Sequence, residues 1–221
     1  KPNEIILVQD GLLTTNLLTI VDEWKAKLVD VLIVVPIETN VGLGAALNIG
    51  FQHCTCELVA RMDTDDIAQP HRFEKQLKAF SEMDIDVCGS WISEFISDEA
   101  IIIAERKVPK CHSDISQFSK KRSPLNHVTV MFKQSKVKEA GGYQKMTSFE
   151  DYYLWIRMLQ VGAIMYNIQE SLVNVRAGYE QLDRRRGFKY AKAEYDFLIK
   201  LYKIGFYNQV TLVLNILILR P

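Results

Sequence analysis

Several features that would settle the class of this protein at a glance are scarce or missing. Cysteine is scarce: Cys54, Cys56, Cys88 and Cys111 are the only four in 221 residues. That is too few for a disulfide framework in a chain this long, so reduced and mostly buried thiols in the cytosol are expected. His53 and His112 lie beside cysteines, but the C-x-C spacing at 54–56 lacks the paired C-x-x-C of a zinc site, and none is expected. Charge of one sign is also missing: 27 Lys and Arg balance 27 Asp and Glu, which gives no reason to expect nucleic acid as a partner. No apolar run reaches the roughly 20 residues that span a bilayer, and no signal-peptide pattern opens the chain. The C-terminal "VTLVLNILILRP" is about half that length, and reads first as a docked helix and second as a membrane-facing segment. Repeats, low-complexity tracts and an interdomain linker are all lacking, which leaves one domain, or one domain with an appendage.

What is present begins with a regular alternation. "EIILV" at residues 4–8 is a short strand closed by Asp10-Gly11, and Leu17, Leu18, Val21, Trp24 and Leu28 follow at helical spacing. "VLIVVPI", 31–37, is a β-branched run without alternation, as expected of a strand covered on both faces. "NVGLGAALNIGFQHC" is a glycine-bearing turn into a helix striped by Leu43, Leu47, Phe51 and Cys54. Residues 58–62 form the next strand and Pro70 opens the next helix, through Met83. This β-α-β-α-β-α order predicts an α/β fold with a mostly parallel, Rossmann-like sheet and helices on both faces. Ligands of such sheets sit beyond the carboxyl ends of the strands, where Asp10, the Asn40–Gly44 turn and the Asp63–Asp66 cluster all fall.

The second half is less regular. "DVCGSWISEF" and "AIIIAERKV" read as an antiparallel pair joined around Ser97–Glu99, and "HVTVMF" alternates weakly. "SFEDYYLWIRMLQVG", 148–162, predicts a helix capped by Ser148, with Glu150 and Asp151 in its first turn and Gly162 closing it. "AIMYNIQESLVNVR" returns as extended chain, and the basic Arg184–Arg186 precedes a helix through about Lys203.

The crowding of Asp63, Asp65 and Asp66 in "MDTDD" demands a reason, because three like charges repel unless a cation, hydrogen bonds or solvent relieve them. A calcium hand would need glycine where Ala68 stands. An aspartyl-phosphate phosphotransferase would use Asp63 as nucleophile, but no later lysine and acidic pair stands out. Asp65 or Asp66 could cap the helix near Pro70 for about 1 kcal/mol, although capping needs only one acid. The remaining reading is a divalent cation held by one or two carboxylates together with substrate phosphates.

"VQDG", "NVGLGAALNIG", "VARMDTDDIAQPHRFEKQ" and "FEDYYLWIRMLQVG", in that order from Glu4 to about Arg176, resemble the inverting family 2 glycosyltransferases of the GT-A fold. The resemblance implies a GT-A domain over 1–176, with a smaller antiparallel acceptor-side portion, and a C-terminal helical segment over 177–221 that faces membrane or acceptor. It implies that Asp10 contacts the base of a nucleotide sugar, that Asn40 and Gly42 line the nucleotide pocket, and that Asp63 lies near the ribose and diphosphate. Asp65, with Asp63, would ligate Mn²⁺ or Mg²⁺. Asp151 would be the general base, with Glu150 its neighbour.

The implied reaction is transfer of a single sugar from a nucleotide-diphosphate sugar, UDP-linked in the first instance, to a hydroxyl of a saccharide or lipid-linked acceptor. In bacteria such enzymes build capsule and O-antigen, working in the cytoplasm or at the inner face of the membrane. Arg184–Arg186 and the apolar C-terminus would suit that surface or a lipid pyrophosphate. Departures are also visible. The family's first strand-helix unit, expected before "VQDG", is missing from the sequence, and unpaired strand edges are expected where it would lie. "NHVTVMF" carries Val128 in place of a proline, and His127 reads first as a hydrogen-bonded core histidine and second as a third metal ligand. "QLDRR" lacks the tryptophan of the processive synthases' Q-x-x-R-W. An aspartate-dependent phosphotransferase and a non-catalytic nucleotide-sugar-binding protein are the competing readings.

Overall fold

A computed structural model describes residues 1–178 and 187–218. The Arg184–Arg186 cluster and the "QLDRR" segment lie outside the described residues. The first half alternates as the sequence pattern predicts: β1 (Ile5–Asp10), α1 (Thr15–Lys27), β2 (Leu32–Ile37), α2 (Leu43–Gln52), β3 (Leu58–Ala60), the two-residue β4 (Ile67–Ala68) and α3 (Arg72–Glu82). The second half contains β5 (Val87–Phe95), β6 (Ala104–Arg106), α4 (His112–Phe118), β7 (Met131–Lys133), α5 (Gln134–Glu139), α6 (Glu150–Gln160) and β8 (Met165–Arg176). Two further helices follow, α7 (Phe188–Lys203) and α8 (Gln209–Ile218).

The strands form a parallel pair, β1–β2, and a six-stranded sheet in the order β3-β7-β5-β8-β4 with β6 beside β5. Parallel pairing dominates by length. β1–β2 runs over six residue pairs and β5–β8 over nine, whereas each antiparallel pairing covers two or three. The antiparallel β5–β6 hairpin forms where the sequence placed it.

Successive residues of a strand face opposite sides of the sheet. Val87 and Met165 accordingly join one core cluster, with Leu154, Trp155 and Met158 of α6, while their neighbours Cys88 and Tyr166 join another with Ala79 and Phe80 of α3. Helices therefore cover both faces of the central strands. A third cluster packs Phe149, Tyr152, Tyr153 and Ile156 against Phe197, Leu198 and Leu201 of α7.

Two expectations are corrected. β2 is only partly covered on each face: Leu32 and Val35, which point to opposite sides, are buried, but Ile33 and Pro36, also on opposite sides, are exposed. Ser148 does not cap α6. It holds a left-handed φ of 67°, and Phe149 occupies the cap position without a side-chain hydrogen bond. The predicted closure at Gly162 is present, since its φ of 77° lets the Ala163 N–H reach the Met158 carbonyl at 2.9 Å.

β1 pairs with β2 and β3 pairs with β7, and no described strand joins the two sheets between them. Glu4 bridges the interval. Its carboxylate accepts from the Thr55 N–H (2.7 Å), the Thr55 hydroxyl (2.9 Å) and the Cys56 N–H (3.1 Å). α2 closes on β1 at Gly50, where a Cβ would stand 2.5 Å from Val8 Cγ2. Gly50→Ala is therefore expected to lose about 1–3 kcal/mol through overpacking. Thermal melts should record a lowered midpoint, and an unchanged midpoint would refute this contact.

Candidate active site

The rim begins at the end of β1. The Asp10 carboxylate accepts from the backbone N–H groups of Val41 (2.7 Å) and Gly42 (3.1 Å), and Asn40 Nδ2 donates to the Asp10 carbonyl (3.2 Å). The residues at the two strand ends are thereby locked together. Gly42, at φ 85°, is the N-cap of α2, so an anionic side chain stands where the helix dipole favours one.

α2 then reaches across to the second half of the chain. Asn48 clamps Tyr143 by donating to its carbonyl (2.6 Å) and accepting from its N–H (2.8 Å). A Cβ on Gly44 would stand 3.2 Å from Glu150 Cγ, so the first turns of α2 and α6 pack closely there. The structure thus ties Asp10 to the Asn40–Gly42 turn, and sets Glu150 of α6 against the helix that starts there.

The acidic cluster lies between β3 and β4. Asp63, Asp65 and Asp66 each offer a carboxylate oxygen, and these three atoms lie within 4.8 Å of one another. Asp63 is gripped at both oxygens by the buried Arg61 guanidinium, at 2.8 and 2.5 Å. Asp65 is exposed. Asp66 accepts the Arg176 N–H through Oδ1 (3.1 Å) and leaves Oδ2 buried without a partner. Burial, helped by the charges of Asp65 and Asp63, pushes the Asp66 carboxyl up to about 6.

None of these acids caps α3, whose N-cap is His71 without a side-chain hydrogen bond. The capping explanation for the cluster therefore fails. The aspartyl-phosphate reading is weakened too, because both oxygens of its nucleophile, Asp63, are engaged by Arg61.

Arg61 is anchored from behind. Its carbonyl accepts from Nη2 of the buried Arg72 (2.7 Å), whose Nε donates to Gln76 (3.1 Å). Gln76 in turn donates to the carbonyls of Cys88 and Thr129, both at 2.8 Å, which ties the acidic loop to β5. Burial and the neighbouring Arg61 charge lower Arg72 to about 10.

Asp151 sits in the first turn of α6, where burial raises its carboxyl and the Tyr152 N–H, Arg106 and Arg61 hold that rise in check. Glu150 is raised as well, by burial first. Asp151 and Asp63 both act on the buried Tyr143 phenol, which puts the base candidate and the acidic loop in one electrostatic neighbourhood. His127 behaves as the core histidine the sequence favoured. Its Nε2 lies 2.8 Å from the Tyr143 hydroxyl, its ring meets Trp155, and burial lowers its pKa well below the usual histidine value.

The residues fit a divalent cation. Hard carboxylate oxygens are the donors that Mg²⁺ and Mn²⁺ prefer, and Asp66 Oδ2 is a buried acceptor with nothing to accept. Sequence reasoning passed over two residues here. Asp66 was visible as the third acid of the run. Arg61 carried no signal beyond a charged residue at the end of an apolar strand.

Comparison with known proteins agrees with this geometry. The profile of "Glycosyl transferase family 2" matches residues 1–139. The chain is 40% identical to the amylovoran biosynthesis glycosyltransferase AmsE of Erwinia amylovora, over 91% of this chain and 73% of that protein. It is 37% identical to the UDP-Gal:alpha-D-GlcNAc-diphosphoundecaprenol beta-1,3-galactosyltransferase of Escherichia coli, over 98% of this chain and 78% of that one. Among solved structures, residues 1–349 of S. aureus TarS in complex with UDP-GlcNAc superpose with a TM-score of 0.65 at 18% identity, over 90% of this chain and 57% of that fragment. The mannosyltransferase PcManGT from Pyrobaculum calidifontis, in complex with GDP-Man and Mn²⁺, gives 0.65 at 15% identity, over 91% and 56%. At those identities the likeness establishes the GT-A fold.

The pKa of Asp66 has a direct consequence in metal-free buffer. The folded state retains its proton up to about pH 6, whereas an unfolded aspartate ionises near 3.9, so stability falls as pH rises between those values. Discounted for its partial exposure, ionised Asp66 costs about 1 kcal/mol at neutral pH. Asp66→Asn should raise the midpoint of thermal unfolding there by roughly 2–4 °C, and the gain should vanish near pH 4. A gain independent of pH would contradict the assignment.

With the rim, the acidic loop and the relatives in agreement, the chain belongs to glycosyl transferase family 2 and is a glycosyltransferase.

Proposed function

We propose that the protein is a metal-dependent, inverting transferase that moves one sugar from a nucleoside-diphosphate sugar to a hydroxyl of a saccharide or lipid-linked acceptor in bacterial surface-polysaccharide synthesis. A UDP-linked donor and a diphospholipid acceptor are favoured by the named activity of the E. coli relative. The Mn²⁺ bound with GDP-Man in PcManGT supports use of a divalent ion. The observation that carries the reading is the cluster of Asp63, Asp65 and Asp66, which no helix cap uses and Arg61 only partly neutralises.

Asp65 and Asp66, with Asp63, would hold Mn²⁺ or Mg²⁺, and the bound ion would supply electrostatic stabilisation of the charge that develops on the departing diphosphate. Asp10, with the turn it fixes at Asn40 and Gly42, is assigned to the base and ribose side of the donor. Arg61 holds Asp63 in orientation through both carboxylate oxygens. Asp151 takes the proton of the acceptor hydroxyl as that oxygen attacks the anomeric carbon from the face opposite the leaving group. Burial makes it a stronger base than a solvated aspartate. Glu150, packed over Gly44, sets the start of α6 against the donor side. One displacement inverts the anomeric centre without a covalent intermediate. The cytoplasmic face of the membrane is the setting that a lipid-linked acceptor would require.

Two substitutions separate these roles. Asp65→Ala is expected to abolish Mn²⁺-dependent binding of UDP in calorimetry. Asp151→Asn should retain that binding and lose roughly 10²–10⁴-fold in turnover of UDP-sugar. Normal turnover by Asp151→Asn would remove it as the base.

A further inference from the structure

α8 carries no charged side chain, and neither does the connection before it, so residues 204–218 are entirely uncharged. Leu212 and Ile216 turn inward, onto the cluster that contains Phe197, Leu201 and Tyr207. On its other side Val210, Val213, Leu214, Leu217 and Ile218 are between 55% and 75% exposed. Their spacing, at i, i+3, i+4, i+7 and i+8, makes them one continuous apolar face rather than scattered surface residues. Patches of this kind mark interaction sites on soluble proteins.

The rim of that face is cationic. The Tyr207 hydroxyl donates to the Lys120 carbonyl at 3.0 Å, which seats the basic run Lys120, Lys121 and Arg122 beside the entry to α8. Lys121 borders the same small cavity as Asn215 and Ile218, with the half-buried Glu194 as the one acid in its lining. Lys200 and Lys203 occupy the last turn of α7, immediately before the uncharged stretch. A second copy docked across a two-fold axis would set such a rim against itself. An anionic lipid surface complements both the charge and the apolar stripe. No described helix is long and apolar enough to cross a membrane.

We infer that α8 is an in-plane membrane anchor, with its apolar stripe seated among acyl chains and the lysines of 120–121 and 200–203 set against anionic headgroups. The anchor does not depend on the assignment of metal or base. It would hold the transferase at the surface where a lipid-linked acceptor is presented.

Sedimentation of the full chain with phosphatidylglycerol-containing vesicles, compared with pure phosphatidylcholine vesicles, tests this. Binding is expected to the former and only weakly to the latter. Leu214→Glu with Leu217→Glu should lower binding more than tenfold, given about 1.5–3 kcal/mol for each buried leucine. The melting curve and the hydrolysis of soluble UDP-sugar should stay as in the parent chain. Lys120→Gln with Lys121→Gln should remove roughly fivefold per lysine from the preference for anionic vesicles and leave the neutral baseline unchanged. Equal sedimentation of parent and leucine variants would overturn the anchor. So would a dimer in light scattering that the leucine variants dissociate while neither form binds vesicles. Hydrolysis and vesicle binding are separate readouts, so loss of one leaves the other interpretable.

Discussion

A buried guanidinium beside three carboxylates sets the terms for the rest of this molecule. Arg61 engages both oxygens of Asp63 and also acts on Asp66, Asp151, His127 and Tyr143. Its charge offsets one of the three acids after β3, so the ionised loop would retain two negative charges. That residue matches a divalent ion. The guanidinium could not stay in place by charge alone, because a second one, Arg72, lies just behind it and repels it. The hydrogen bonds from Arg72 through Gln76 to Cys88 and Thr129 fix both cations to the central strands. The network is not fully satisfied, since Arg61 Nε and Arg72 Nη1 are buried without a hydrogen-bond partner.

The second requirement is that the Asp10 rim and the helix bearing Asp151 meet. Asp10 closes the Asn40–Gly42 turn, and α2 leaves that turn to clamp Tyr143 through Asn48 and to carry Gly44 under Glu150. A single helix of ten residues therefore spans from the Asn40–Gly42 turn to the helix bearing Asp151. Either contact demands a particular small or amide-bearing side chain, which is why the glycine-rich stretch at 42–50 carries more structural information than its composition suggests.

Much of this could be read before any coordinates. The β-branched runs at 4–8 and 31–37 and the stripe of Leu43, Leu47 and Phe51 identify strands and helix because local periodicity reflects which face is buried. The positions of Asp10 at the end of β1 and of the Asp63–Asp66 cluster after β3 were legible from the strand pattern, but not that β3 would pair antiparallel with β7 in a sheet apart from β1–β2. Long-range choices were not legible. Nothing local in "VCGSWISEF" announces that it runs parallel to β8 over nine residue pairs, with register irregularities around Trp91. Nor does the sequence disclose that Arg61, Arg72 and Gln76 are buried, because charge and amide composition normally signal solvent and their partners lie far along the chain. Ser148 misled for a related reason. Its position suits a cap, but the turn from Met146 into α6 needs a left-handed residue there.

The central claim is that the acidic loop is an incomplete ion site, finished by a divalent metal. Anomalous diffraction at the manganese edge, from crystals grown with Mn²⁺ and UDP, tests it most directly. The account predicts a single strong peak at about 2.1 Å from a carboxylate oxygen of Asp65, on the side where Asp66 Oδ2 lies unpartnered. Ordered UDP with no manganese peak at that loop, or a peak held by other side chains, would contradict it.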